Sequence, residues 1–280
     1  MAADIEAAKK AAAIEAVRNH FPENPRFVGI GSGTTIVYVV EAIKNSGIDV
    51  SRVGFVPTGY QSKQLIINAG LVPIEFDALP DSAMLDVAFD GADEVDEDLN
   101  CIKGGGACLY QEKLVAMRAK SFICVAVEPK AARQVIQRLR MLGSRSPTGA
   151  TPVIREGHMA KAGPIKTDQD FFIVDAPFPH PLLLSSDCTP ERLGNGEHGY
   201  WEVEQLAKAI KEINGVLAVG LFCGPTGPEA LAAQVIGGQR PVACYFGMAD
   251  GTVALRRARE KRPSIVAKYP PLIPVRTTED

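Results

Sequence analysis

Little in this sequence supports metal, redox or nucleic-acid chemistry. The four histidines, His20, His158, His180 and His198, show no metal-ligand spacing, so structural or solvated roles are expected for them. The six cysteines, Cys101, Cys108, Cys124, Cys188, Cys223 and Cys244, are scattered and form no C-x-x-C pair. That excludes a dithiol redox motif and a short-chain disulfide framework, and it implies reduced thiols in a cytoplasmic protein. An excess of basic charge is also missing: the net charge is -3, which gives no footprint for a nucleic acid. The N-terminal run MAADIEAAKKAAAIEAV carries acidic residues and no apolar h-region, so neither a signal peptide nor a membrane span is expected. No internal repeat is found. The one tryptophan, Trp201, reads as a packing residue.

What is present suits a globular enzyme. At 280 residues, 46% hydrophobic and 22% charged, the chain can bury a large core in one domain or two. Ile5, Ala8, Ala12 and Ala16 fall on one stripe at helical spacing. After it, short apolar runs alternate with helical stretches. FVGI, VGFVPT, LVPIEF, LDVAFD and SFICVAV read as strands, and IVYVVEAIKN, 61–68 and 107–120 as helices. This order predicts an α/β fold, a mostly parallel Rossmann-like sheet with helices on both faces. Past Lys130 the texture changes. ARQVIQRLRML and the run from Val203 to Ile213 look helical. TPVIREG, FFIVDAPF and GVLAVGLF look like strands, with Asp168-Gln169-Asp170 as a turn. A βαββαβ-like order predicts a smaller inserted α/β lid domain of ferredoxin-like type. The expected division is 1–126 for the sheet domain, 127–218 for the lid, and 219–280 for the return to the sheet with an extended tail from Arg256. Residues 185–199 read as a loop, and 225–241, rich in Gly, Pro and Ala, as a surface insertion.

Two passages carry chemistry. The first is Gly31-Ser32-Gly33-Thr34-Thr35, between the FVGI strand and a helix N-terminus, where backbone N–H groups and the helix dipole attract an anion. Its G-x-G-x-G spacing departs from the dinucleotide G-x-G-x-x-G, and VGFVPT carries no acidic residue for a ribose. Hydroxyls here suit one phosphate better than a pyrophosphate.

The second passage, 90–112, reads DGADEVDEDLNCIKGGGACLYQE. Asp90 closes an apolar strand, at the sheet end where ligands bind in parallel sheets. The turn Gly91-Ala92-Asp93 can aim Asp90 and Asp93 into one crevice. Taken alone, such a pair is most simply a turn former, and the spacing lacks the EF-hand pattern. Lys103 precedes Gly104, Gly105 and Gly106, a backbone that a ligand can approach closely. Glu112 lies early in the next helix, where the dipole keeps a carboxylate ionised and available as a base.

GIGSGTT, DGADEVD and KGGGACLYQEKL together, in this order, resemble the signature segments of the type A ribose-5-phosphate isomerases. Weaker echoes run through KAGPIKTDQDFFIVDAPF, INGVLAVGLF and YFGMADG, so the likeness covers most of the chain. The resemblance implies an isomerase of the non-oxidative pentose phosphate pathway that interconverts ribose 5-phosphate and ribulose 5-phosphate. It implies no cofactor and no metal, a small sugar-phosphate substrate, no nucleic-acid or membrane partner, and a homodimer or homotetramer. Glu112 then moves a proton between C2 and C1, and Lys103 with the glycine-loop amides stabilises the enediolate. Asp90 and Asp93 bind hydroxyls and assist ring opening. Ser32, Gly33, Thr34, Thr35, Gly91, Ala92, Gly104, Gly105 and Gly106 line the substrate, and Lys9 is a minor addition. Three alternatives stay open: a related sugar-phosphate isomerase or hydrolase, a catalytically impaired sugar-phosphate-binding homologue, and a sugar-phosphate sensor. The join after Ala126 departs from the family pattern, since SFICVA runs directly into VEPKAARQ. It is expected to lose a substrate-contacting lysine, a role not carried over to Lys130, and to leave a sheet edge exposed.

Overall fold

The computed structural model describes residues 2–127, 142–144, 152–157, 165–168, 171–213, 216–235, 237–248 and 251–258. Lys130, His158, the helical run before Leu142, Gln169 and Asp170, and the tail beyond 258 lie outside the described residues. The alanine-rich start forms α1 (Ala2–His20). Ala8, Ala12, Ala13, Ala16 and Val17 are buried, whereas Ile5, in the first turn, is 47% exposed because the buried stripe begins only at Ala8.

The apolar runs then form β1 (Phe27–Ile30), α2 (Ile36–Lys44), β2 (Gly54–Pro57), α3 (Tyr60–Asn68), β3 (Val72–Pro73) and β4 (Val87–Asp90). After them come β5 (Glu94–Val95), β6 (Cys101–Ile102), α4 (Leu109–Met117) and β7 (Phe122–Val127). The later part holds β8 (Val153–Ile154), β9 (Val174–Asp175), α5 (Val203–Lys211), β10 (Leu221–Phe222), α6 (Gly227–Ala232), β11 (Ala243–Gly247) and β12 (Val253–Arg257).

Seven strands pair in the order β12-β11-β7-β4-β1-β2-β3. Every neighbouring pair is parallel except β11 with β12. All residues of β2, β4 and β11 are buried, as a parallel sheet covered on both faces requires. One core cluster joins α1 and α2 to the sheet, and a second lies on α4's side with Val115, Ala116 and Phe222. The chain builds outward from β1 through β2 to β3, then returns to place β4 on the other side of β1. The strand order therefore reverses between β1 and β4, and a crevice opens beyond their carboxyl ends. No helix among the described residues is long and apolar enough to cross a membrane.

Four expectations need correction. The LVPIEF strand shrinks to Val72–Pro73 and is followed by a 3-10 turn (Phe76–Ala78), since Pro73 lacks an N–H and is tolerated only at the sheet edge. The start of the expected tail, Arg256 and Arg257, belongs to β12, antiparallel to β11. The supposed surface insertion at 225–241 contains α6, begun by a reciprocal Thr226–Glu229 capping box. It also contains Arg240, only 1% exposed, which donates to the carbonyls of Gly224 and Asp98 and pairs with Glu229 at 2.9 Å. Finally, β7 lies between β4 and β11, so the strand before the join presents no open edge. From the 127–218 region the described residues supply the antiparallel hairpin β8–β9 and helix α5. Trp201 packs with α5 as expected, donating its ring N–H to the Leu142 carbonyl at 2.8 Å.

Candidate active site

The crevice at the strand reversal collects the residues that the two passages single out. Asp90 ends β4, and the turn after β1 folds onto it. The Ser32 N–H donates to Asp90 Oδ1 at 3.2 Å, and the Gly91 N–H to the same oxygen at 2.8 Å. Only glycine fits at position 31, where a Cβ would stand 1.9 Å from Asp90 Oδ1. Farther along the turn, the Gly33 N–H donates to Gln61 Oε1 at 2.9 Å, and Lys9 Nζ donates to Thr34 Oγ1 at 3.0 Å. The Ser32 and Thr58 hydroxyls share a hydrogen bond of 2.9 Å. Thr35 is buried at the N-terminus of α2.

Lys103 follows β6, which pairs with β5 on one side and β10 on the other. Its N–H donates to the Gly220 carbonyl at 2.8 Å, so the return of the chain at β10 fixes its backbone. Its ammonium lies 2.9 Å from Asp90 Oδ2 and 3.2 Å from Glu112 Oε2, and donates to the Gly91 carbonyl at 2.6 Å. The three side chains are nearly closed off: relative exposure is 3% for Asp90, 6% for Lys103 and 5% for Glu112. Glu112, in the first turn of α4, has an Oε2 that receives no hydrogen bond among the described residues. Its approach to Lys103 is therefore a contact of charge, and a lone pair of the carboxylate stays open for an incoming proton.

Fully ionised, this buried trio would carry one uncompensated negative charge, which burial disfavours. The remedy is a proton. Burial pushes the Asp90 carboxyl up to about 7, against the pull of the Lys103 ammonium and helped by the Glu112 charge. Burial by itself would lower Lys103, but Asp90 and Glu112 outweigh it and hold the ammonium firmly protonated. A permanent cation between Glu112 and a carboxyl balanced near neutrality can polarise an oxygen and pass protons along it.

Asp93, in the turn after β4, stands apart from the trio, half-buried against the glycine loop. Its Oδ2 accepts from the Gly105 N–H at 2.8 Å, and a Cβ on Gly105 would stand 2.5 Å from its Oδ1. Gly104 is buried while Gly105 and Gly106 are exposed at the crevice, and Gly91 and Ala92 are half-buried beside them.

Three further residues reach this site without having been singled out for it. Arg155, just after β8, donates through Nη1 to the Gly104 carbonyl at 3.1 Å and the Gly105 carbonyl at 3.3 Å. Asp168 accepts from the Tyr60 N–H at 3.1 Å. The Cys108 thiol faces position 59, where a Cβ would stand 2.7 Å from its sulfur. Nothing in the local sequence marks these three, because their placement depends on pairing between distant segments.

Comparison with known proteins gives the family. The family model for ribose 5-phosphate isomerase A (phosphoriboisomerase A) matches residues 54–235. A ribose-5-phosphate isomerase of Mycosarcoma maydis is 40% identical over 275 residues, covering 91% of this chain and 82% of the relative. One from Schizosaccharomyces pombe is 39% identical, covering 94% of this chain and 88% of the relative. The crystal structure of ribose 5 phosphate isomerase A from Neisseria gonorrhoeae is 26% identical with a TM-score of 0.61, covering 90% of this chain and 97% of that one. The sheet order, the crevice at its reversal and these likenesses agree, and the chain belongs to the ribose 5-phosphate isomerase A family.

Proposed function

We propose that this protein interconverts D-ribose 5-phosphate and D-ribulose 5-phosphate through an enediolate. Family membership supports the substrate, and the buried Asp90–Lys103–Glu112 trio supports the chemistry. The open-chain aldose lies with C1 and C2 against Glu112 and its phosphate toward the turn at Ser32, Gly33, Thr34 and Thr35. Glu112 removes the C2 proton. The electron pair of that bond forms the C1=C2 double bond, and negative charge collects on O1 beside the Lys103 ammonium. Glu112 then returns the proton to C1. The hydroxyl proton of O2 passes to O1, leaving the ketone at C2, and Asp90 is the group suited to carry it. Asp93 binds hydroxyls and assists opening of the ring. The 127–218 region acts as a lid over this crevice, a role supported by the contacts from Arg155 and Asp168.

The observation that carries the reading is the buried Glu112 carboxylate, whose Oε2 accepts no hydrogen bond beside a fixed cation. The test is Glu112→Gln, assayed by ketose formation from ribose 5-phosphate. Turnover should fall by about 10²- to 10⁴-fold, the scale of one acid–base group, with substrate binding retained. Equal turnover in variant and parent removes Glu112 as the base.

A further inference from the structure

The peptide between Gly104 and Gly105 is held from both sides. In a trans peptide the C=O and N–H point in opposite directions. Here the Gly104 carbonyl accepts from Arg155 Nη1 at 3.1 Å, while the Gly105 N–H donates to Asp93 Oδ2 at 2.8 Å. The same carbonyl also closes the loop turn by accepting from the Ala107 N–H at 3.1 Å. Among the described residues no other hydrogen bond holds this peptide. Both residues lack side chains, and Gly104 sits at φ +107°, so rotation of the plane meets little steric resistance. A rotated plane would present its carbonyl oxygen to the Asp93 carboxylate in place of the N–H.

Arg155 is well placed to prevent that rotation. Its backbone is fixed on the hairpin, donating to the Ile173 carbonyl at 2.9 Å and accepting from the Ile165 N–H at 2.8 Å. Asp175, diagonally across the hairpin on the same face, takes the rest of the guanidinium, with Nε at 2.9 Å and Nη2 at 2.5 Å from its Oδ1. Only Nη1 is turned toward the glycine loop. The forked, planar cation thus has one edge anchored in the lid hairpin and one donor on the loop carbonyls.

We propose that Arg155 is a positioning residue for Asp93, acting through the Gly104–Gly105 peptide. The proposal rests on the reading of Asp93 as part of the active site. Through this peptide the lid hairpin sets the orientation of a carboxylate that Arg155 never touches. Arg155 on the hairpin and Asp93 on the turn after β4 should therefore be lost as one unit.

The test is a double-mutant cycle of Arg155→Ala and Asp93→Asn in the full chain, with kcat and KM for ribose 5-phosphate and a melting curve for each protein. Arg155→Ala should lower kcat about ten- to a hundredfold, the scale of one charge-assisted hydrogen bond, with KM changed by less than about threefold. In the Asp93→Asn background the same substitution should have almost no further effect on kcat, because the group it orients is already lost. Losses that multiply in the double variant overturn the proposal, as does a normal kcat for Arg155→Ala. Parent-like activity in Asp93→Asn instead overturns the catalytic reading of Asp93, so the two failures are distinguishable. If Arg155→Ala does not fold, Arg155→Lys replaces it in the same cycle. One ammonium cannot span Asp175 and the Gly104 carbonyl as a fork does, so a smaller loss is expected, and the same non-additivity decides.

Discussion

Replacing Lys103 with methionine gives the strongest test of the buried trio, because it removes the charge and keeps the shape. The ammonium lies 2.9 Å from Asp90 and 3.2 Å from Glu112, and all three groups are out of water. Without it, two carboxylates share a dry site with no counter-ion, and removing one partner of a buried ion pair costs about 3–5 kcal/mol. That cost depends on pH. In the parent one proton on Asp90, whose pKa is pushed up to about 7, cancels the excess negative charge below that pH. Without the ammonium that holds it down, the Asp90 carboxyl of the variant is raised further and keeps its proton to a higher pH. Carboxyls whose pKa is raised by folding add stability that is fully present below their unfolded pKa. That stability is lost as pH rises through the folded value. The penalty of Lys103→Met should therefore be largest at about pH 8.5 and smaller at about pH 6.5. Urea unfolding of parent and variant at the two pH values measures the difference. A penalty that is equal at both, or absent at the higher, would refute the account of the trio as a proton-sharing unit.

Gly31→Ala should lower turnover by at least about 100-fold and lower the melting temperature as well, since the new Cβ would meet Asp90 Oδ1 at 1.9 Å and displace that carboxylate from its buried ion pair. Steady-state kinetics checks it, and a parent-like kcat would show that the placement of Asp90 is not critical. Arg240→Met should act in the opposite way, leaving kcat intact while costing about 2 kcal/mol or more in urea unfolding. It strips the Gly224 and Asp98 carbonyls and Glu229 of their donor. An unchanged unfolding midpoint would mean that water replaces the guanidinium without loss.

The parts of this fold that were legible in the sequence are those written in local pattern. Val28, Ile30, Phe55, Val87, Phe89, Ile123 and Val125 belong to short apolar runs, and these became the central parallel strands. Asp90 could be placed at a strand's end because the run before it is uniformly apolar, and Glu112 because a glycine loop precedes its helix. Composition misled where a few residues act against their surroundings. The Gly/Pro/Ala texture of 225–241 suggested an outside loop, yet Arg240 draws it inward by satisfying carbonyls 16 and 142 residues away. Arg256 and Arg257 suggested a tail, although TVALRR completes an antiparallel edge strand whose partner is the preceding apolar run. Arg155 is illegible for a different reason. Its effect needs a hairpin, an aspartate 20 residues on and a loop 50 residues back to meet at one guanidinium. No window of sequence contains that meeting.

The alanine stripe of α1 has a consequence for how the chain is made. Helix α1 leaves the ribosome well before β11, the strand it packs against. The contact is too close for any side chain: a Cβ on Gly247 would stand 2.1 Å from the Ala8 carbonyl oxygen. At roughly 5–20 residues per second, the helix waits on the order of 10–45 s for that strand to be synthesised. During that time Ala12, Ala16 and Val17 lack part of the surface that later covers them. Helix α1 is thus sealed only when β11 arrives, and the core it shares with the earlier strands stays incomplete until then.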